Sequence, residues 1–234
     1  MSDDRRTTLR PPGSLHDARF PNESAAYRQA RDALLIDEIA LRRHAEAVAA
    51  RRRALPPGGP VREDYVFEGE AGPVRLSELF GKHRTLITYH YMFGPEREHP
   101  CPSCTSFLSG IDGILPDLTQ RAAFVAIARS PVARLLAFRK ERGWRHLRLV
   151  CDGGNRFAQD YFGNIQGNDV PIVNVFTKGD DGGIRHFWSN EMGATPSDPG
   201  QDSRDNDNAW PLWGLLDNTP EGRGTNWYPK LDRS

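Results

Sequence analysis

Two cysteines separated by two residues, Cys101-Pro102-Ser103-Cys104, stand between a strand pattern and a helix pattern, and no other feature restricts the fold of this chain as much. The run Thr85 to Phe93 (TLITYHYMF) is rich in aromatic and β-branched residues and reads as a buried strand, ended by Gly94-Pro95. After the cysteines, Phe107, Leu108, Ile111, Leu115 and Leu118 recur at helical spacing. The first thiol is therefore expected at a helix N-terminus, where unpaired backbone N–H groups and the dipole favour a thiolate, with the second one turn inside. Thiols placed in this way close a disulfide and reopen it, so dithiol redox chemistry is the leading reading. A structural zinc site would bring a second Cys or His pair, and the third cysteine, Cys151, is alone.

The pattern continues on both sides. Tyr65-Val66-Phe67 reads as a short strand and Leu76 to Phe80 as a helical turn. Ala122 to Ala128 (AAFVAIA) reads as a buried strand, and Ser130-Pro131 as an N-cap and first-turn proline opening a helix through Arg142 that Gly143 stops. His146 to Cys151 is a third strand and Asn155 to Phe162 a short helix. Pro171 to Thr177, a Gly/Asp turn at 179–183 and Ile184 to Trp188 make a hairpin. Strands alternating with helices and closing on a hairpin describe an α/β layer, a mixed central sheet flanked by helices, in the strand order of a thioredoxin-like fold.

Ahead of this domain, residues 1–22 are polar and proline-bearing and read as a flexible arm. From Glu23 to Arg53 there is neither Gly nor Pro, Asn22 or Ser24 is placed to cap, and Tyr27, Leu34, Leu41 and Val48 repeat every seven residues. One long helix is expected, either a brace packed across the domain or a homodimer contact. Leu55-Pro56-Pro57-Gly58-Gly59-Pro60 then breaks the chain, so residues 23–59 form a helix and linker and 60–234 the main domain with an irregular aromatic C-terminal tail.

Composition excludes several function classes. Lys plus Arg equals Asp plus Glu at 31 each, so no global field draws nucleic acid or an anionic membrane. The basic run Arg51-Arg52-Arg53 reads as a solvated helix end. The opening MSDDRRTTLR carries no apolar stretch, and nowhere do 18 apolar residues run together, so a soluble cytoplasmic protein is expected. In that compartment a CxxC pair is catalytic more readily than a structural staple.

Several segments carry a resemblance: YHYMFGPEREHPCPSC, AIARSP, KERGW at 140–144 and the late LLDNTPEGRGTNWYPKL. They resemble a bacterial group of thioredoxin-like proteins, classed as a domain of unknown function and predicted to be dithiol–disulfide oxidoreductases, over most of the chain from near residue 23. The resemblance implies a thioredoxin-like fold, a redox role for Cys101 and Cys104, no cofactor beyond the redox-active disulfide, and a protein or low-molecular-weight thiol or disulfide as partner. It also implies that Pro171, after Val170 and before the penultimate strand, is a cis proline facing the redox pair, with Val170, Pro171, Pro102 and Ser103 as the substrate contacts.

Position assigns the remaining roles. Cys101 is the nucleophile, its pKa brought from about 8.5 into the range of roughly 3.5 to 7.5, and Cys104 resolves the mixed disulfide. Arg129, just after the 122–128 strand, belongs to the same sheet edge and either stabilises the thiolate or pairs with a loop carboxylate. His90 either relays a proton to Cys104 or is a satisfied structural histidine. A copper(I) or zinc module through the two cysteines and His99 or His90 is one alternative, and a non-catalytic dimeric binding protein is another. A peroxidase is the third, although Glu98 stands where peroxiredoxins place a threonine, three residues before the reactive cysteine. Cys151 reads as core, and Asp198, Asp202, Asp205 and Asp207 as a solvated loop without calcium-loop spacing. Trp210, Trp213, Trp227 and Tyr228 either pack the tail onto the domain or roof a pocket.

Overall fold

The structure is a computed structural model in which residues 19–191, 209–222, 224 and 227–232 are described; Asp198, Asp202, Asp205 and Asp207 lie outside them. The chain divides into two compact units between Leu55 and Pro56, inside the Pro/Gly break. In the first, α1 (Ala25–Arg53) is capped by Ser24, whose hydroxyl accepts from the Tyr27 N–H at 3.1 Å. None of its residues is buried, and the heptad residues Tyr27, Leu34 and Leu41 are 51%, 51% and 69% exposed.

The second unit is built on a seven-stranded sheet. Its elements are β1 (Val66–Gly69), β2 (Gly72–Arg75), α2 (Leu76–Leu79), β3 (Thr85–His90), α3 (Pro102–Leu118), β4 (Ala123–Ala128), α4 (Val132–Arg142), β5 (Leu149–Cys151), α5 (Arg156–Asp160), a small hairpin of β6 (Asn164–Ile165) and β7 (Asn168–Asp169), β8 (Val173–Lys178), β9 (Ile184–Ser189) and α6 (Pro211–Leu216). The strand order is β2-β1-β5-β4-β3-β8-β9. β3, β4 and β5 run parallel, and the outer strands on both sides are antiparallel. All six residues of β4 are buried, as a central parallel strand covered on both faces requires. A strand leading into a helix that starts at the dithiol, a parallel neighbour, and a closing antiparallel pair make this the thioredoxin-like fold.

Pleating sorts the apolar residues onto two faces. Tyr89 and Tyr91 pack with Phe107, Leu108, Ile111 and Leu115 of α3, while Leu86, Val125, Ile127 and Phe176 pack with Phe67, Phe80 and Phe157 on the other side. Trp210 and Trp213 join the α3 face, Trp210 meeting Phe107 at 6.0 Å, so this part of the tail is packing. Trp227 and Tyr228 remain about half exposed, with ring contacts to Trp213.

Tertiary partners moved some boundaries. Ser130 does not cap α4, because its N–H goes to Phe93 O (2.9 Å) and its hydroxyl to Gly94 O (3.2 Å); Pro131 occupies the cap position instead. Gly143 does end α4, at φ 70°. The strand expected from His146 begins only at Leu149, because the N–H groups of Arg145, His146 and Leu147 are taken by the Asp112 carboxylate at 3.1, 2.8 and 2.8 Å. β2, the β6/β7 hairpin and α6 had no counterpart in the sequence reading.

Candidate dithiol site

Cys101 is the N-cap of α3, and its Sγ accepts from the Cys104 N–H at 3.5 Å. Pro102 fills the first helical position, where a missing N–H costs nothing and the fixed φ suits the helix. The Cys101 N–H donates to Met92 O (3.1 Å), tying the cap to the end of the β3 segment. Its carbonyl accepts both from the Thr105 N–H (3.0 Å) and from Thr105 Oγ1 (2.8 Å), and that hydroxyl meets the Tyr91 phenol at 2.7 Å. Both thiols are free; Cys101 is partly exposed and Cys104 is 2% exposed.

The two thiols are pushed apart in acidity. Cys101 is lowered from 9.0 to about 6, first by the hydrogen bond from the Cys104 thiol and then by the N–H groups of Cys104 and Ser103 and the charge of Arg97, all against the effect of burial. Burial and the neighbouring Cys101 raise Cys104, partly offset by a hydrogen bond from Tyr89. This is the division of labour an attacking thiolate and a resolving thiol need. Cys151, buried and raised to about 11 chiefly by burial, donates to Arg129 O and behaves as core.

Other expected residues are placed differently. Arg129 pairs with carboxylates, Nε to Asp169 at 2.6 Å and two Nη groups to Glu96 at 2.9 and 3.3 Å; the cation whose charge reaches Cys101 is Arg97. Gly94 lets this network close, since a Cβ there would lie 2.7 Å from both Asp169 and Glu96. His90 cannot relay to Cys104: it alternates with Tyr89 and Tyr91 and so points to the opposite face of the sheet. There its Nε2 lies 3.6 Å from Asp169, too far for a hydrogen bond, and a Cβ on Gly163 would come within 2.3 Å of its Nδ1. Among the described residues no peptide bond is cis, so the cis proline implied by resemblance is absent. Hydrogen bonds from Val170 N to Gly163 O and from His90 N to Ile172 O, 2.9 and 2.8 Å, hold the segment on either side of Pro171. The β3/β8 pairing ends at Tyr89 and Val173, two residues after Pro171, and the cleft that a cis peptide would have opened has no basis here. Pro102 is exposed and Ser103 half-buried.

The metal alternative loses its ligand set. His99 is exposed, His90 is on the far face, and among the described residues no three of His, Cys, Asp and Glu converge on a common point.

Two polar groupings escaped the sequence reading, both on the face away from the thiols. One gathers His90, Asp152, Asp169, Asn164 and Arg129. Burial opposes ionisation of Asp169, but His90 and Arg129 outweigh it and hold the carboxyl at about 2. The other links His186 Nε2 to Ser189 Oγ at 2.7 Å and Ser189 to Asn174. Residues three apart on a regular strand face opposite ways; a bulge in β9 brings His186 and Ser189 to one side.

The family model described as a bacterial protein of unknown function (DUF899) matches residues 18–234. No curated protein matches. Among solved structures, the chain is similar to peroxidoxin BcpB from Mycobacterium tuberculosis, at 21% identity and TM-score 0.45, covering 66% of this chain and 94% of that one. It is similar to the bacterioferritin comigratory protein of Xanthomonas campestris at 18% identity and TM-score 0.42, covering 56% and 86%. A pneumococcal exposed lipoprotein thioredoxin from Streptococcus pneumoniae follows at 14% and 0.40, covering 54% and 87%.

Proposed function

The chain belongs to the bacterial DUF899 family, and from that premise we propose that it is a thiol–disulfide oxidoreductase using Cys101 as nucleophile and Cys104 as resolving thiol. The observation that carries the reading is the N-cap position of Cys101, with Sγ accepting from Cys104 N–H and its acidity raised.

The Cys101 thiolate attacks one sulfur of a substrate disulfide, forming a mixed disulfide and expelling the other sulfur as a thiolate, which takes a proton from solvent. Cys104 then gives up its proton and attacks Cys101 Sγ. The mixed disulfide breaks, the second substrate sulfur leaves as thiolate, and the protein holds the Cys101–Cys104 disulfide. Two electrons have passed from the protein dithiol to the substrate; the reverse sequence oxidises a substrate dithiol. Burial of Cys104 favours its thiol form until the mixed disulfide removes the negative charge from Cys101.

Cys104→Ser should trap the mixed disulfide, visible as an adduct by intact-mass spectrometry and released by dithiothreitol. Cys101→Ser should give none. If Cys101→Ser forms adducts through Cys104 while Cys104→Ser does not, the assigned roles are reversed; if neither traps, exchange is not the function.

A further inference from the structure

Beside the dithiol lies a cavity of about 670 Å³ that the exchange chemistry does not account for. Pro100, buried and directly ahead of Cys101, forms part of its wall with Phe93. The opposite wall is one stripe of α4: Arg134, Ala137, Phe138, Glu141 and Arg142, the i, i+3, i+4, i+7, i+8 positions of a single helix face. Within the stripe Phe138 packs on Phe93 and Trp144, while Ala137 and Glu141 stay exposed along the cavity. Leu231 closes one side, its carbonyl accepting from Arg142 Nη1 at 2.8 Å.

The lining has a definite polarity. Arg134 stacks 4.4 Å above the Phe93 ring, and its hydrogen bonds go to the carbonyls of Arg97 and Glu98 and to Ser130 Oγ. No carboxylate pairs with it among the described residues, so a half-buried guanidinium keeps its charge uncompensated, with N–H groups to spare of its five. Carboxylates stand at the rim instead: Glu98 and Glu141 are exposed, as is Asp232. Between anion-seeking wall and acidic rim lie Pro100, Ala137 and Phe138.

We propose that this cavity binds the non-sulfur part of a zwitterionic low-molecular-weight thiol or disulfide, of amino-acid or short-peptide size, with its carboxylate at Arg134, its ammonium at the rim and its sulfur directed to Cys101. The volume falls in the range of roughly 300–1,000 Å³ that holds a small molecule. The assignment rests on the exchange reading for its chemistry, and it separates a small-molecule substrate from a protein one.

Two measurements test it. Binding is measured without redox chemistry, by calorimetry of cystathionine, a zwitterionic thioether that cannot exchange, against the Cys101→Ser/Cys104→Ser protein. Saturable binding is expected, lost in an added Ala137→Trp that fills the cavity; no binding, or binding indifferent to Ala137→Trp, overturns the site. Exchange is then measured by mixing reduced wild-type protein with cystine or with uncharged bis(2-hydroxyethyl) disulfide. Cystine should be favoured by about tenfold in second-order rate constant, a preference that falls with salt and approaches one in Glu141→Lys. Equal rates in wild type overturn the substrate class. Failure to consume either disulfide while cystathionine still binds removes the exchange reading and leaves the site standing.

Discussion

β3 and the residue after it send Tyr89 and Tyr91 to the face that carries α3 and the thiols, and Thr88 and His90 to the other face, where Asp152, Asp169, Asn174 and Ser189 are also buried. On the first face the polar groups near Cys104 are phenols and a threonine, with no carboxylate among the groups acting on it. On the second, carboxylates, a guanidinium and an imidazole crowd the end of the same strands, and both His90 nitrogens and Thr88 Oγ1 are buried without a hydrogen-bond partner among the described residues. The comparison teaches that the sheet separates two jobs. Thiol acidity is set locally, by the start of α3 and by Arg97, while the charged network across the sheet fixes the loops from Gly94 to Glu96 and from Asn164 to Asp169.

The largest expected effect breaks the charged side. Asp169→Ala removes a carboxylate whose side chain is 2% exposed from an arginine that is 12% exposed. A loss of about 3 kcal/mol is expected in chemical denaturation, the low end for a buried pair because Glu96 still holds Arg129. The sign with pH follows from the depressed carboxyl. Its contribution is full above the ordinary value of 3.8 and drains as pH falls through about 2, so wild type and variant should converge in acid. Divergence in acid would show that Asp169 is not the ionised partner.

Two glycines sharpen the contrast at smaller scale. Gly163→Ala drives a Cβ to 2.3 Å from His90 Nδ1 and should cost about 1–3 kcal/mol. Gly110→Ala, on the exposed side of α3 with nothing within 4 Å of the new carbon, should gain about 0.5–1 kcal/mol. Equal melting shifts in the two variants would mean the far face is no tighter than the helix surface.

The smallest effects concern the thiols. Iodoacetamide rates should place Cys101 near pH 6, and this midpoint should stay put in His90→Gln, since the sheet lies between. Tyr89→Phe removes a side-chain hydrogen bond that lowers Cys104, and should slow resolution of the mixed disulfide by about two- to tenfold. A His90→Gln shift as large as the Tyr89→Phe effect would dissolve the distinction between the faces. The reduced protein should also gain stability over Cys101→Ser above pH 9, a gain lost as pH falls through about 6.

What the sequence revealed follows from how local each signal is. The strand, the dithiol and the α3 stripe are contiguous, and Gly143 ends α4 by its own backbone geometry, so these were readable. Ser130 looked like a cap because capping is written in a few adjacent residues, but Phe93 and Gly94, far away in the chain, took its hydrogen bonds. His90, Asp152 and Asp169 come from three separate segments with no shared period, and the β9 bulge that aligns His186 with Ser189 leaves no mark in composition. Arg129 was placed on the right edge by the parallel strands, yet its partners Glu96 and Asp169 could be known only once the loops were in place. The cis proline came from likeness to other proteins rather than from these residues, and it too failed.

The residue that caps α3 is also the one that the proposed exchange would change. Ser, Thr, Asp or Asn usually holds such a position, contributing about 1 kcal/mol through an oxygen that never alters. Here the acceptor is sulfur, and once Cys101 is bonded to a second sulfur it no longer offers a negative charge to the first N–H groups of a 17-residue helix. If Cys101 exchanges as proposed, each oxidation weakens the cap of α3 and each reduction restores it. Electron uptake would then be coupled to helix capping, a bias that favours the reduced form and makes such a couple more oxidising.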